Sequence, residues 1–274
     1  MQVSPLEYAN FCAFLQQSCG ISLGQNKQYL VVTRVRRIVR DNKLASLADL
    51  TALIQKPSAR DIRQQVIDAM TTNETFWFRD NYPFDYLQRV LLPKYQREKT
   101  RSVKIWSAAC SSGQEPISLN IIVDEYCRKL GGPKPFTVDV VGTDLSSAML
   151  EQAKSGLYDR ISITRGLSAE RMSQYFEQVD PDTWRAKSSI KDSIQFRTLN
   201  LQDSYFLMGK FDIIFCRNVL IYFSQELKLE ILRKMHAQLN KNGLLFLGSS
   251  ESIAGMNDYF EMVDCSPGVA YRAL

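Results

Sequence analysis

The stretch VKIWSAACSSGQEPISL, Val103 to Leu119, decides the fold. It begins as a short apolar run, passes through tiny residues around a single glycine, and ends on an acid, a proline and a helix-like segment. That order spells a strand, a tight turn and a helix. A turn of this kind at the end of a strand is where open parallel sheets hold their ligands.

Working outward, the same alternation recurs. FTVDVVGTD, IQFRTLN, FDIIFCRN and GLLFLGSS are short β-branched or aromatic runs, separated by helix-like stretches such as Pro116–Leu130, Ser146–Ser155 and Ser224–Leu239. This predicts an α/β fold, a mostly parallel sheet covered by helices on both faces. The chain closes on EMVDCSPGVAYRAL, two extended pieces around Ser266-Pro267-Gly268, which predicts a terminal antiparallel hairpin. Gly156 to Asp192 is polar and irregular where one crossover belongs, and is expected to be an insertion with its own small structure.

Upstream of residue 75 the chain reads as helices only. Ser4-Pro5-Leu6-Glu7, Ser46-Leu47-Ala48-Asp49 and Ser58-Ala59-Arg60-Asp61 each set a serine three residues before an acid, a helix-capping pattern, and Gly20 is placed to end the first helix. KQYLVVTRVRRIVRDNK, Lys27 to Lys43, puts Val31, Val32, Val35, Ile38 and Val39 on one helical face. Arg36, Arg37 and Arg40 fall on the other, with Arg34 at the flank. Such a face is either plain solvated surface or a dock for something acidic.

Composition narrows the classes. The chain has 274 residues, 45% hydrophobic and 23% charged, an ordinary globular balance. No apolar run approaches the ~20 residues of a membrane span, and MQVSPLEYANF lacks a signal-peptide pattern, so a cytoplasmic location without membrane insertion is expected. Six cysteines occur with no C-x-x-C pair and no histidine beside them, which argues for reduced thiols and no metal site. A net charge of +5 favours an anionic partner, whether nucleic acid, an acidic protein surface or a membrane face.

The strand ends carry the chemistry. A pyrophosphate needs several glycines for close backbone approach, and the loop Ala108–Pro116 has only Gly113. Glu115 would repel a phosphate and suits a cationic group such as an ammonium. Asp144, leaving the second strand in GTD, reads as the acceptor of a ribose diol or as a helix cap. Ser146 offers itself as that cap, which frees Asp144. A nucleoside joined to an amino acid without phosphate is S-adenosylmethionine. FDIIFCRNVLIYF lacks the Asp/Asn-Pro-Pro-aromatic signature of enzymes that methylate base amino groups. The one histidine, His236, lies about three turns beyond that strand end. A nucleophile already ionised at neutral pH, such as a glutamate carboxylate, needs no base. TTNETFWFRD, Thr71 to Asp80, mixes hydrogen-bonding side chains, aromatics and an arginine. It is either part of the site or a turn whose aromatics pack two domains together.

TTNETFWFRD, WSAACSSGQEPISL, VVGTDLS, FDIIFCRNVLIYF and GLLFLGSSES, in this order, resemble the chemotaxis receptor glutamate O-methyltransferases, the CheR family. The resemblance spans nearly the whole chain. It implies an all-helical domain at 1–75 and a class I, Rossmann-like methyltransferase domain at 76–274, with a seven-stranded, mostly parallel sheet and an inserted antiparallel β-subdomain at 157–192. It implies transfer of a methyl group from S-adenosylmethionine to receptor glutamates, leaving a methyl ester and S-adenosylhomocysteine, with no metal. By the same resemblance Asn73, Thr75, Arg79, Gly113, Glu115, Asp144, Asn200, Leu201, Arg217 and Asn218 meet the cofactor. Tyr222 borders the transferred methyl, and Arg79 is tied to activity through substrate orientation or cofactor binding. Trp77 stands where the family usually has phenylalanine and Gln114 where a second acid is frequent.

The implied partner is the helical bundle of a chemoreceptor, met through Arg36, Arg37 and Arg40 by a monomeric enzyme recruited to receptor arrays. Some members grip a receptor C-terminal peptide through a glycine-containing loop of the insertion. Here Glu177-Gln178-Val179-Asp180-Pro181-Asp182 has no glycine, so no dependence on that peptide is expected. A nucleic-acid methyltransferase and a non-catalytic cofactor-binding regulator stand as alternatives, and a nicotinamide oxidoreductase lacks its phosphate loop.

Overall fold

The computed structural model describes residues 1–274. Its front is four helices, α1 (Pro5–Cys19), α2 (Gln28–Asp41), α3 (Leu47–Ile54) and α4 (Arg60–Met70). Ser4 and Ser46 cap α1 and α3 as expected, with Glu7 and Asp49 returning the bond to each cap's backbone. Gly20 ends α1 in the left-handed region. Ser58 does not cap a helix. Pro57 initiates a 3-10 turn over Pro57–Ala59 that takes Ser58 inside it, and α4 opens on Ala59 without a side-chain cap. Phe11, Leu15, Val31, Val35, Leu47, Leu50, Ile54 and Val66 are wholly buried between the four helices. Each such side chain contributes about 1.5–3 kcal/mol of apolar burial.

A broken helical stretch follows, α5 (Tyr82–Tyr86), a π turn (Leu87–Leu91) and α6 (Leu92–Arg97). The strands, in chain order, are β1 (Ser102–Ala108), β2 (Thr137–Asp144), β3 (Leu157–Asp159), β4 (Phe176–Asp180), β5 (Thr183–Ala186), β6 (Ile194–Thr198), β7 (Phe211–Cys216), β8 (Leu239–Leu247), β9 (Phe260–Cys265) and β10 (Gly268–Ala273). The longer helices between them are α7 (Gln114–Leu130) and α8 (Ser147–Ser155); α9 (Arg160–Thr164), α10 (Ala169–Tyr175) and α11 (Ser188–Lys191) belong to the insertion, and α12 (Gln225–Gln238) precedes β8.

Seven strands form the main sheet in the order β6-β2-β1-β7-β8-β10-β9. All neighbours pair in parallel except at β10, which is antiparallel to β8 and to β9. This is the expected fold class, closing hairpin included. The chain steps outward from β1 through β2 to β6, then returns to lay β7 against the other side of β1. The reversal falls between β1 and β7, where parallel sheets bind ligands at the strands' carboxyl ends.

The insertion forms a separate three-stranded antiparallel sheet, β3-β5-β4, whose β4–β5 turn is Pro181-Asp182. The aromatics of TTNETFWFRD do not weld the helical domain to the sheet. Trp77 is buried edge-on against Tyr158 and Phe176 of the insertion, and its Nε1 donates to the Ser162 carbonyl at 3.0 Å. Phe78 packs on Phe84.

Candidate active site

At the β1/β7 reversal lies a cavity of about 300 Å3. Its floor comes from the loops after β1, β2, β6 and β7, one wall from TTNETFWFRD, and its roof from the helical domain, where Ile21, Ser22, Lys27, Leu30 and Arg34 face it. Of the residues singled out in the sequence, Asn73, Thr75, Arg79, Glu115, Asp144, Asn200, Leu201, Arg217, Asn218 and Tyr222 all line it. Arg36, Arg37 and Arg40 lie elsewhere, exposed on α2.

Gly113 stays outside the cavity. Its φ of +92 opens α7, and a Cβ there would lie 2.8 Å from the Ala153 Cβ of α8. Its place is set by packing, while the turn's unusual backbone is carried by Ala109 and Ser111, with φ of 59 and 49. That twist lets the Ser111 N–H donate to Asp144 Oδ2 at 2.7 Å. The Ser146 N–H donates to Oδ1 of the same carboxylate at 2.8 Å. Ser146 also caps α8 through its hydroxyl, as the sequence suggests. Asp144 is therefore oriented by two backbone donors, with remaining lone pairs available to a diol. Burial pushes its carboxyl above the usual aspartate value, and the backbone hydrogen bonds oppose that push.

The loops after β1 and β7 meet through charge. Arg217, 6% exposed, donates from Nη1 to Glu115 Oε2 at 2.9 Å, and from Nη2 to Asp80 Oδ2 at 2.7 Å and the Arg79 carbonyl at 2.6 Å. Ser107 donates to the other Glu115 oxygen at 2.7 Å. One guanidinium facing two carboxylates leaves a surplus negative charge in a largely buried place. A cationic ligand compensates that surplus. Two polar atoms beside it, Arg217 Nε and Asn218 Oδ1, are buried without partners. Buried donors and acceptors are almost always paired, so these are poised for a ligand that both accepts and donates. An amino-acid end, with its carboxylate and ammonium, meets all three demands, and Asp144 supplies the diol acceptor. The residues present therefore fit S-adenosylmethionine.

Two groups of residues escaped the sequence reading. Glu251 accepts from the N–H groups of Asn218 at 2.7 Å, Gly248 at 2.8 Å and Ile221 at 3.3 Å, and so fixes the loop that carries Arg217 to Tyr222. Its signal was in plain view, a lone acid in GSSES just past β8. The roof residues carry no such local mark. They reach the site through contacts between distant segments: Asn200 Nδ2 donates to the Ser18 carbonyl at 2.8 Å, and Gln202 Nε2 to that of Gln16 at 3.0 Å. His236 sits apart from the cavity, edge-on to Tyr259 and Phe260. No helix is long and apolar enough to cross a membrane.

Sheet order, a first loop built without a phosphate cradle, and a cavity suited to a cationic amino-acid end and a diol define an S-adenosylmethionine-dependent methyltransferase. Residues 73–269 match the family model described as CheR methyltransferase, SAM binding domain, and residues 6–71 match CheR methyltransferase, all-alpha domain. The chain belongs to the CheR methyltransferase family, as its motifs implied. It is 46% identical over 274 residues, the full length of both chains, to chemotaxis protein methyltransferase Cher2 of Pseudomonas putida. It is 47% identical, again over both full lengths, to chemotaxis protein methyltransferase 1 of Pseudomonas aeruginosa. With chemotaxis protein methyltransferase 1 of Vibrio cholerae it shares 48% identity over 98% of each chain.

Proposed function

We propose that the enzyme esterifies glutamate side chains on the cytoplasmic helical bundle of chemoreceptors, acting in chemotactic adaptation. The observation that carries this reading is the position of α2. Its inner side, through Leu30 and Arg34, roofs the cofactor cavity together with Lys27 just ahead of it, while its outer side presents Arg36, Arg37 and Arg40. The cavity roof and the basic face thus belong to one helix, which suits an acidic helix docking beside the site.

When bound, S-adenosylmethionine supplies an electrophilic sulfonium methyl group. The chain's own residues position and shield. Asp144 would receive the diol, the Arg217–Glu115–Asp80 cluster with Asn218 would hold the amino-acid end, and Asn200, Leu201, Asn73 and Thr75 would line the rest of the cofactor's place. Arg79 is held by the Glu74 carbonyl at 3.1 Å and lies over the Phe76 ring, and it forms no ion pair. It is therefore free to orient a carboxylate without a competing partner of its own. Tyr222 borders the reacting centre. A carboxylate at neutral pH is already ionised, which suits a cavity without a histidine, and orientation alone can supply about 7–11 kcal/mol of the barrier.

We further propose that the enzyme acts as a monomer at receptor arrays and does not depend on a receptor C-terminal peptide. The glycine-free turn Pro181-Asp182, tied to Arg160 by a 3.1 Å ion pair, supports the last point. Incubation with methyl-labelled S-adenosylmethionine and receptor-containing membranes, followed by alkali, tests the central reading. Base-labile methanol is expected. Alkali-stable label would point to amine methylation instead.

A further inference from the structure

One glutamate of the chain itself stands at the rim of this cavity. Glu74 lines the opening, and its Oε1 lies 2.5 Å from Nη2 of Arg165, which comes from the insertion just after α9. The two segments are pressed together. The Trp77 N–H donates to the Arg165 carbonyl at 3.1 Å, and a Cβ on Gly166, φ +92, would lie 2.3 Å from the Trp77 carbonyl oxygen. Arg165 lies 4.6 Å from the Phe76 ring centroid, and Arg79 lies 5.2 Å from the same centroid. Arg79 lines the cavity and Arg165 stands just outside it, so two guanidinium groups flank one aromatic ring at this edge, and the only carboxylate bonded to either is that of Glu74. Arg165's hydrogen bond and charge hold Glu74 below the usual glutamate value, and Arg79's charge adds to them.

Both partners are open to water, at 50% and 59% side-chain exposure. An ion pair so exposed is weak and exchanges one carboxylate for another at little cost in desolvation. We propose that Arg165 is the entry-side contact for the substrate's carboxylate and that Glu74 holds its place in the free enzyme. The incoming glutamate displaces Glu74 from Arg165 and is then passed to the neighbourhood of Arg79, where no partner competes for it. Arg165 thereby selects for an acidic acceptor on entry, before Arg79 orients the carboxylate for reaction. This inference rests on the glutamate reading above.

A structural clamp and a placeholder make opposite demands on the two residues. Initial rates are measured over a range of receptor concentrations for the wild type, Glu74→Gln, Arg165→Gln, Arg165→Lys and the Glu74→Gln/Arg165→Gln pair, with S-adenosylhomocysteine affinity followed by calorimetry. Arg165→Gln is expected to raise KM for receptor by about twofold to fivefold, the worth of an exposed charge pair. Arg165→Lys raises it less, Glu74→Gln lowers it, and the double variant behaves as Arg165→Gln. KM raised in both single variants, or effects confined to cofactor affinity, would overturn the proposal while leaving the glutamate reading intact. Alkali-stable label from the wild type would overturn the glutamate reading, and this inference with it.

Discussion

The backbone N–H of Ser22, in the helical domain, donates to the carbonyl oxygen of Tyr222, in the loop after β7, at 2.8 Å. Together with the bonds from Asn200 and Gln202 to the end of α1, it makes the helical domain part of the cavity rather than an appendage to it.

Asn200→Ala tests that union. The substitution removes the bond to the Ser18 carbonyl and frees the Gln202 N–H, which donates to Asn200 Oδ1 at 3.1 Å. At roughly 1 kcal/mol for each of the two bonds lost, cofactor affinity is expected to fall by up to about thirtyfold. Amide exchange in residues 18–24 should rise in parallel. Faster exchange without loss of affinity would separate domain docking from cofactor binding.

Glu115→Gln removes the surplus negative charge from the Arg217 cluster while keeping the side chain's shape. S-adenosylhomocysteine affinity by calorimetry is expected to drop about tenfold to a hundredfold, the worth of a charged hydrogen bond. Stability should change less, because Asp80 still faces Arg217. An unchanged affinity would place the ligand's amino-acid end elsewhere.

On α2 the three arginines are not equal. Arg37 and Arg40 both pair with Asp41, at 3.3 and 3.0 Å, whereas Arg36 has no acidic partner. Neutralising all three should lower kcat/KM for receptor and flatten its salt dependence while leaving cofactor affinity alone. Among single changes Arg36→Gln should cost most, and Asp41→Asn should raise kcat/KM. Stopped-flow or steady-state rates at two salt concentrations decide it, and equal effects at the three positions would contradict the ranking.

Trp77 fills a place between Tyr158 and Phe176 with its indole N–H satisfied. Trp77→Ala should destabilise by about 3–5 kcal/mol through the cavity it leaves. Trp77→Phe should cost about 1–3 kcal/mol, since it strands the Ser162 carbonyl as well as removing volume. Urea melts of both variants measure this, and a neutral Trp77→Phe would show that the pocket collapses around the smaller ring.

Acid should loosen the front of the chain in a traceable way. Glu7 is held below its ordinary 4.5, chiefly by the Ser4 backbone and side chain, and its Oε1 also accepts from the Ala48 N–H at 3.3 Å. A depressed carboxyl contributes stability that is present above its unfolded value and lost as pH falls through the folded one. The gap in Tm between wild type and Glu7→Gln should therefore be open at neutral pH and close as pH falls below about 4.5. A gap independent of pH would assign the effect to shape.

The sheet was legible because each strand and its helix announce themselves locally: apolar runs, a proline or serine at the helix start, and a polar residue left over at each strand end. Glu115, Asp144, Arg217 and Asn218 were found this way, since a strand end is a short-range feature. The capping boxes of Ser4 and Ser46 were legible for the same reason, and Ser58 misled because Pro57 favoured a 3-10 turn that outcompeted the cap. The packing of Gly113 on Ala153 was not legible, because nothing near it in the sequence shows that contact. The roof over the cavity was hidden altogether. Ser22 joins Tyr222 through backbone atoms, which no side-chain pattern encodes, and Glu74 and Arg165 lie in separate parts of the chain.

The roof has a kinetic corollary. On the proposed docking of the receptor at α2, a glutamate held in the cavity would also stand in the way of spent cofactor. Reloading would then wait for that glutamate to leave. An enzyme working so would write its marks singly and spread them over many receptors, and the population's methylation would rise in small steps rather than receptor by receptor.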